Sequence, residues 1–129
     1  MTIALWCVLV AALLPILCTG IAKARGAGGY NNRNPREWLA RQEGLAGRAN
    51  AAQQNSWEAL AIFSAAVFVA HLAHAPQARV DLLAMAFIVV RVVYIGVYLA
   101  NLASVRSLVW MVGLGLCIAL FAAGVSTSA

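Results

Sequence analysis

Charge is scarce in this chain, and negative charge is scarcest. Of 129 residues only 10% are charged and four are acidic, against 64% that are hydrophobic. A water-soluble domain of this length cannot bury so much apolar surface, because a small fold keeps a high ratio of surface to volume. The composition excludes an ordinary soluble enzyme and leaves lipid as the solvent for most of the chain. The length allows one domain. Cysteine is sparse as well: Cys7, Cys18 and Cys117 all lie in apolar runs, and no CxxC pair occurs. An odd count without paired spacing argues against a metal centre or a disulfide framework. Cys7 and Cys18 fall about 16 Å apart along one helix, too far to bridge. All three read as small buried hydrophobes. Internal repeats and low-complexity tracts are missing too.

What is present is long hydrophobic runs. Four are long enough to cross a bilayer, which takes about 20 residues of helix. They cover about 2–22, 49–72, 80–102 and 105–125. The expected fold class is therefore all-α, an integral membrane four-helix bundle in a single domain 1–129. Pro76 and Asp81 break the chain between the second and third spans. "NLASVR" between the third and fourth is so short that those helices must be antiparallel neighbours. The first span lacks the basic residues that precede a secretory signal, and Leu17 is too bulky for a lipoprotein cleavage site. It reads as a retained helix.

Net charge is +5, and the basic residues gather in loop 23–48, with Lys23, Arg25, Arg33, Arg36, Arg41 and Arg48. In so apolar a chain, that clustering reads as positive charge held on the cytoplasmic side and not as a nucleic-acid surface. Arg106 marks the third turn and only Arg79 the second. Loops one and three are thus expected on the cytoplasmic side, with both termini on the other. Inside the first loop, Asn34, Pro35 and Glu37 form a helix-start signal, and Gly44 is a plausible stop. Two readings stand: a short basic helix dipping Trp38 and Leu39 into the lipid surface, or a solvated basic loop.

The second and third spans carry polar stripes. Asn55 and Glu58 share a helix face, with Gln54 one turn before Glu58. Arg91, Tyr94, Tyr98 and Asn101 follow steps of three, four and three. An ionised side chain at the bilayer centre costs about 2.5–3.5 kcal/mol on insertion scales, so such groups mark functional sites by default. Glu58 and Arg91 fall at similar depth on antiparallel helices, and an ion pair between them is expected. Hydrogen-bonded glue between helices is the competing account, but each such bond is worth only about 1 kcal/mol. Arg48, Arg106 and Ser107 sit at the basic end of the stripe. Arginine forks suit carboxylates, and Arg106 or Ser107 could stabilise a thiolate. A small anionic, peptide-like molecule and a small lipophilic second substrate from the bilayer fit this inventory. Trp6, Trp38, Trp57 and Trp110 read as interfacial anchors. His71 and His74 read as a solvated helix end without a third metal ligand.

"NSWEA" in the second span, "RVVYIGVY" in the third and "VRSLVW" after it, together with "NNRNPR" in the basic loop, resemble the MAPEG proteins, membrane-associated proteins of eicosanoid and glutathione metabolism. The likeness runs over nearly the whole chain and is strongest to the bacterial branch, which points to a bacterial inner membrane. The resemblance implies a homotrimer of four-helix protomers and a glutathione-dependent transferase or peroxidase acting on lipophilic electrophiles. It implies glutathione, as co-substrate, held by Asn55, Glu58, Arg91, Tyr94 and Tyr98, and a thiol activated by Arg106 and Ser107. Characterised members carry arginine where this chain has Ala51, Gln54 or both, and an aromatic hydroxyl where it has Trp110. Arg48, one turn earlier, is expected to compensate, and Gln54 is expected to join the binding set.

Ala51 and Gln54 motivate an alternative: a MAPEG-fold binding or scaffold protein without catalysis. A third reading, a small exporter of lipophilic cations built on Glu58, is disfavoured because Arg91 would repel the cation.

Overall fold

The structure, a computed structural model, describes residues 1–125. Its elements are α1 (Ile3–Arg25), α2 (Pro35–Ala40), α3 (Gly44–Leu72), α4 (Gln77–Leu99) and α5 (Ala103–Val125). No strand occurs among the described residues. Four of the five helices are long and apolar enough to span a membrane. The chain is a multi-pass integral membrane protein, and each span lies within a few residues of its expected position.

Helix α1 begins at a cap. Thr2 accepts the Leu5 amide through its hydroxyl at 3.2 Å, and Asp81 on α4 accepts the Ala4 amide at 2.9 Å. Two of the first-turn amides that a helix leaves unpaired are thereby satisfied. The buried face of α1 reads Ala4, Cys7, Ala11, Leu14, Pro15, Cys18, Ala22. Opposite it, α3 buries Ala46, Ala49, Ala52 and Ser56. Small residues on both sides let backbones approach closely, which is how helices associate where lipid removes the hydrophobic driving force. The cysteines are buried here as free thiols. At the bundle centre Phe63 and Phe87 stack with centroids 4.1 Å apart and planes at 7°.

The two tight turns share one construction. After α4, the Leu102 amide donates to the Val97 carbonyl and the Asn101 amide to Tyr98, with Asn101 at φ 61°. After α3, Ala75 donates to Ala70 and His74 to His71, with His74 at φ 55°. Both are Schellman motifs with an unusual non-glycine residue in the left-handed position. Asn101 therefore belongs to a turn, and the polar line expected along the third span ends at Tyr98.

The first loop departs furthest from expectation. Trp38 and Leu39 are buried against Ala22 and Ala49, not immersed in lipid. The Trp38 indole donates to the Gly28 carbonyl at 2.6 Å. Gln42 accepts the Ala27 amide at 2.8 Å and donates to its carbonyl at 3.2 Å. Tyr30 packs edge-on against Trp38, and the Lys23 ammonium lies 4.3 Å over the Tyr30 ring. Gly26 is required here, since a Cβ would stand 2.3 Å from the Trp38 ring. Pro35 does start α2, but Asn34 makes no capping bond, and Glu37 pairs with Arg41. Gly44, at φ 59°, opens α3 instead of closing α2. As a result α3 runs 29 residues, about 43 Å at 1.5 Å per residue.

Candidate functional site

The basic ends of α3, α4 and α5 are tied together. Arg48 donates through Nε to the Leu99 carbonyl at 3.0 Å, capping the C-terminus of α4. This contact brings the start of α3 level with the α4–α5 turn, so Arg106 lies at the same end of the bundle as loop 26–43. The opposite end holds the Asp81 contact, which also receives a hydrogen bond from Gln77 at 2.7 Å.

Arg91 is the buried cation of α4, with 4% of its surface exposed. Its guanidinium donates to the Ser56 hydroxyl at 3.3 Å and lies 4.2 Å from the Tyr94 ring centroid. Tyr94 meets Tyr98 edge-to-face at 5.7 Å, and the Arg106 guanidinium sits 4.3 Å over the Tyr98 ring. The four side chains form a ladder, cation–ring–ring–cation, running up α4 onto α5. A cation over an aromatic face is worth about 0.5–1 kcal/mol when exposed and about 2 when desolvated. Ring contact and a hydroxyl thus stabilise Arg91 in place of a carboxylate.

The expected ion pair between Glu58 and Arg91 does not form. Among the described residues the ion pair is Arg41–Glu37. Glu58 lies exposed on α3, yet it shares the lining of one cavity with Arg91 and Asn55. Both line that cavity, but the rotation of α3 turns Ser56 and not Glu58 toward Arg91.

Two hollows make up the site. A cleft of about 400 Å³ is lined by Asn55, Tyr94, Arg106, Ser107, Trp110 and Met111. A smaller cavity of about 70 Å³ adjoins it, and Asn55 and Trp110 line both. The Asn55 Oδ1 is buried and has no hydrogen-bond partner among the described residues. A buried acceptor left unpaired costs about 1–3 kcal/mol, so it points to a ligand, water or another chain that supplies a donor. Ser107 lies on the cleft wall, its hydroxyl donating to the Ala103 carbonyl at 3.3 Å.

Asn55, Glu58, Arg91, Tyr94, Arg106 and Ser107 are thus gathered around two adjoining hollows, with Tyr98 bracing Arg106. Two candidates lie outside them. Arg48 is engaged with Leu99. Gln54 faces a separate hollow of about 250 Å³, together with Arg36, Asn50, Gln53 and Trp57. Residue reasoning overlooked Ser56 and read Trp110 as an interfacial anchor. Spacing along α5 held the missing signal, since Arg106, Trp110, Gly113 and Cys117 follow steps of four, three and four on one helix face. No group of three or more metal-ligating side chains occurs among the described residues.

Fold and cleft together define a polytopic helical membrane protein with an intramembrane polar site. The chain belongs to the MAPEG family, whose model matches residues 3–126, nearly the full length. Comparison with curated proteins and with solved structures gives no match. The family includes glutathione transferases and peroxidases.

Proposed function

We propose that this protein is a membrane-bound glutathione-dependent transferase or peroxidase acting on lipophilic electrophiles. The observation that carries the reading is the ladder from Arg91 to Arg106 facing Asn55, whose buried Oδ1 awaits a donor. Asn55 can accept a peptide N–H of the tripeptide. Arg91 suits a carboxylate and Glu58 an ammonium group. Arg106, at the mouth of the cleft, favours the thiolate over the thiol, and the thiolate is the nucleophile. Ser107, beside it, can donate its hydroxyl to the same sulfur by turning from the Ala103 carbonyl. In transfer, the sulfur bonds to the electrophilic carbon and the leaving group departs. In peroxide reduction, the sulfur takes the terminal oxygen and an alcohol is released.

The working form in this reading is a homotrimer. Support comes from the outer face of α3, where Gln54 and Glu58 are exposed on a membrane-spanning helix. Lipid is a poor solvent for both, and a second copy would cover them at lower cost. The basic end bearing Lys23, Arg25, Arg33, Arg36, Arg41, Arg48 and Arg106 faces the cytoplasm of a bacterial inner membrane, leaving both termini outside.

Turnover by the purified protein in lipid nanodiscs tests the reading. Glutathione conjugation to chlorodinitrobenzene, or reduction of an organic hydroperoxide, should exceed an Arg106→Ala control by about a hundredfold or more, the scale of one charge-stabilising group. Turnover equal to that control would refute it. One observation favours a second reading, a binding or scaffold protein without catalysis. With Arg48 bound to Leu99 and Gln54 turned aside, Arg91 and Arg106 are the cations left at the two adjoining hollows. Calorimetric binding of a lipophilic ligand without glutathione turnover would establish that alternative.

A further inference from the structure

A third hollow, apart from the cleft, lies between α2 and α3. It measures about 250 Å³ and is lined by Arg36 and Leu39 of α2 and by Asn50, Gln53, Gln54 and Trp57 of α3. The four α3 residues follow steps of three, one and three, so they share one helix face. Leu39 packs with Ala22 and Ala49 in one buried cluster. That packing holds α2 against α3 and sets Arg36, one turn before Leu39, beside the amides.

We propose that this hollow binds the headgroup of an anionic phospholipid, a phosphodiester whose alcohol carries hydroxyl groups, as in phosphatidylglycerol. The hollow shares no lining residue with the cleft or its neighbouring cavity, so the proposal does not depend on the catalytic reading.

Depth is the first support. Counted back from Leu72, the last residue of α3, about 30 Å of hydrocarbon takes about 20 residues at 1.5 Å each. The boundary between hydrocarbon and headgroups thus falls near Ala52, level with the hollow. Trp57, partly exposed just inside that boundary, sits where indoles mark the membrane interface.

Unused hydrogen-bonding capacity is the second. Among the described residues, the side chains of Arg36, Asn50, Gln53, Gln54 and Trp57 make no hydrogen bond or ion pair. Guanidinium, amide and indole N–H groups can all donate to phosphate oxygens, and the amide carbonyls can accept from hydroxyls of the headgroup alcohol. A volume several times the roughly 30 Å³ of one water molecule admits a phosphodiester.

Charge is the third. No carboxylate lines the hollow among the described residues, so the ammonium group of a choline or ethanolamine headgroup finds no counter-charge there. Basic pockets of this kind, beside membrane helices, suit anionic headgroups. A second copy of the chain is the competing occupant, but it has few acids to set against Arg36. Of its four, Glu37 pairs with Arg41, and Asp81 holds Ala4 and Gln77 at the opposite end. Glu58 lines the cavity at Arg91, which leaves Glu43. Lipid phosphate, by contrast, surrounds the protein at this depth.

The test is native mass spectrometry of protein released from nanodiscs that hold equal amounts of phosphatidylglycerol and phosphatidylcholine. The wild type should retain phosphatidylglycerol over phosphatidylcholine by about tenfold, the effect of one hydrogen bond to a charged group. Arg36→Gln should abolish that preference. Arg33→Gln removes the same charge from the same loop but outside the hollow, and should leave the preference within about twofold, because distant exposed charges are screened. Both side chains are exposed, so the fold should tolerate either change. Equal retention of the two lipids by the wild type, or equal losses in the two variants, overturns the proposal. Two further arms identify the occupant. Millimolar glycerol 3-phosphate should leave the retained lipid in place, and displacement by it would mean a free anion and overturn the proposal. Arg36→Gln should leave the oligomer mass unchanged. An oligomer that dissociates while lipid retention persists would assign the hollow to a second copy and overturn it as well.

Discussion

Arg91 donates to Ser56 at 3.3 Å, and Glu58, its expected partner, makes no ion pair with it. A hydrogen bond to a charged group contributes about 1.5–3 kcal/mol. Ser56→Ala should lower the thermal unfolding midpoint in detergent by several degrees. Glu58→Gln should leave it nearly unchanged. A larger loss from the Glu58 variant would return the carboxylate to Arg91.

Arg48 acts on the end of a helix in this structure, not on the cleft. Arg48→Ala should free the Leu99 carbonyl at a cost of about 1.5 kcal/mol, the low end for a charged donor at a part-buried site. Hydrogen exchange should quicken in the turn 100–102, whose amides close the α4 C-terminus. The KM for glutathione should stay within about twofold, since a contact that is not made contributes no binding energy. A tenfold rise in KM would place Arg48 back among the binding residues.

The first loop is folded around one indole. Trp38→Phe keeps the ring's bulk but loses the bond to the Gly28 carbonyl. Gly26→Ala drives a methyl group into that ring, and overpacking of this kind costs about 1–3 kcal/mol. Both variants should be cut faster by trypsin at Arg25 and Arg33 in sealed, oriented vesicles, the glycine variant fastest. Unchanged rates would mean that the loop gains little from these contacts.

Asp81 caps a helix that is not its own. Asp81→Ala removes the acceptor for the Ala4 amide, and losing an N-terminal cap costs about 0.5–2 kcal/mol. Asp81→Asn keeps an acceptor oxygen and should retain most of the stability. Unfolding midpoints of the two variants distinguish loss of the hydrogen bond from loss of charge.

The spans were legible because lipid selects on composition and length, both of which are properties of a linear string. The four runs, the short third turn and the basic loop could all be read in order. Individual contacts were not legible to the same degree. On α3, Ser56 and Glu58 are two residues apart and point about 200° around the helix from each other. Which one meets Arg91 depends on how α3 is rotated against α4. That rotation follows from the alanines packed against α1, which share the buried face of α3 with Ser56. Trp38 was misjudged for a related reason. An indole in a basic loop suits a lipid surface, but here Gly26 and Ala22 leave a place for it inside the protein.

The linear chain alone settled that this is a helical membrane protein with amides along its second span and a cation in its third. Hydropathy and periodicity act within about twenty residues, and no distant partner is needed to read them. Packing decided the rest: that Arg91 rests on a hydroxyl and a ring, that Arg48 caps α4, and that Trp110 walls the cleft. Each of those depends on the relative rotation of neighbouring helices, a quantity that comes into being only when their faces meet.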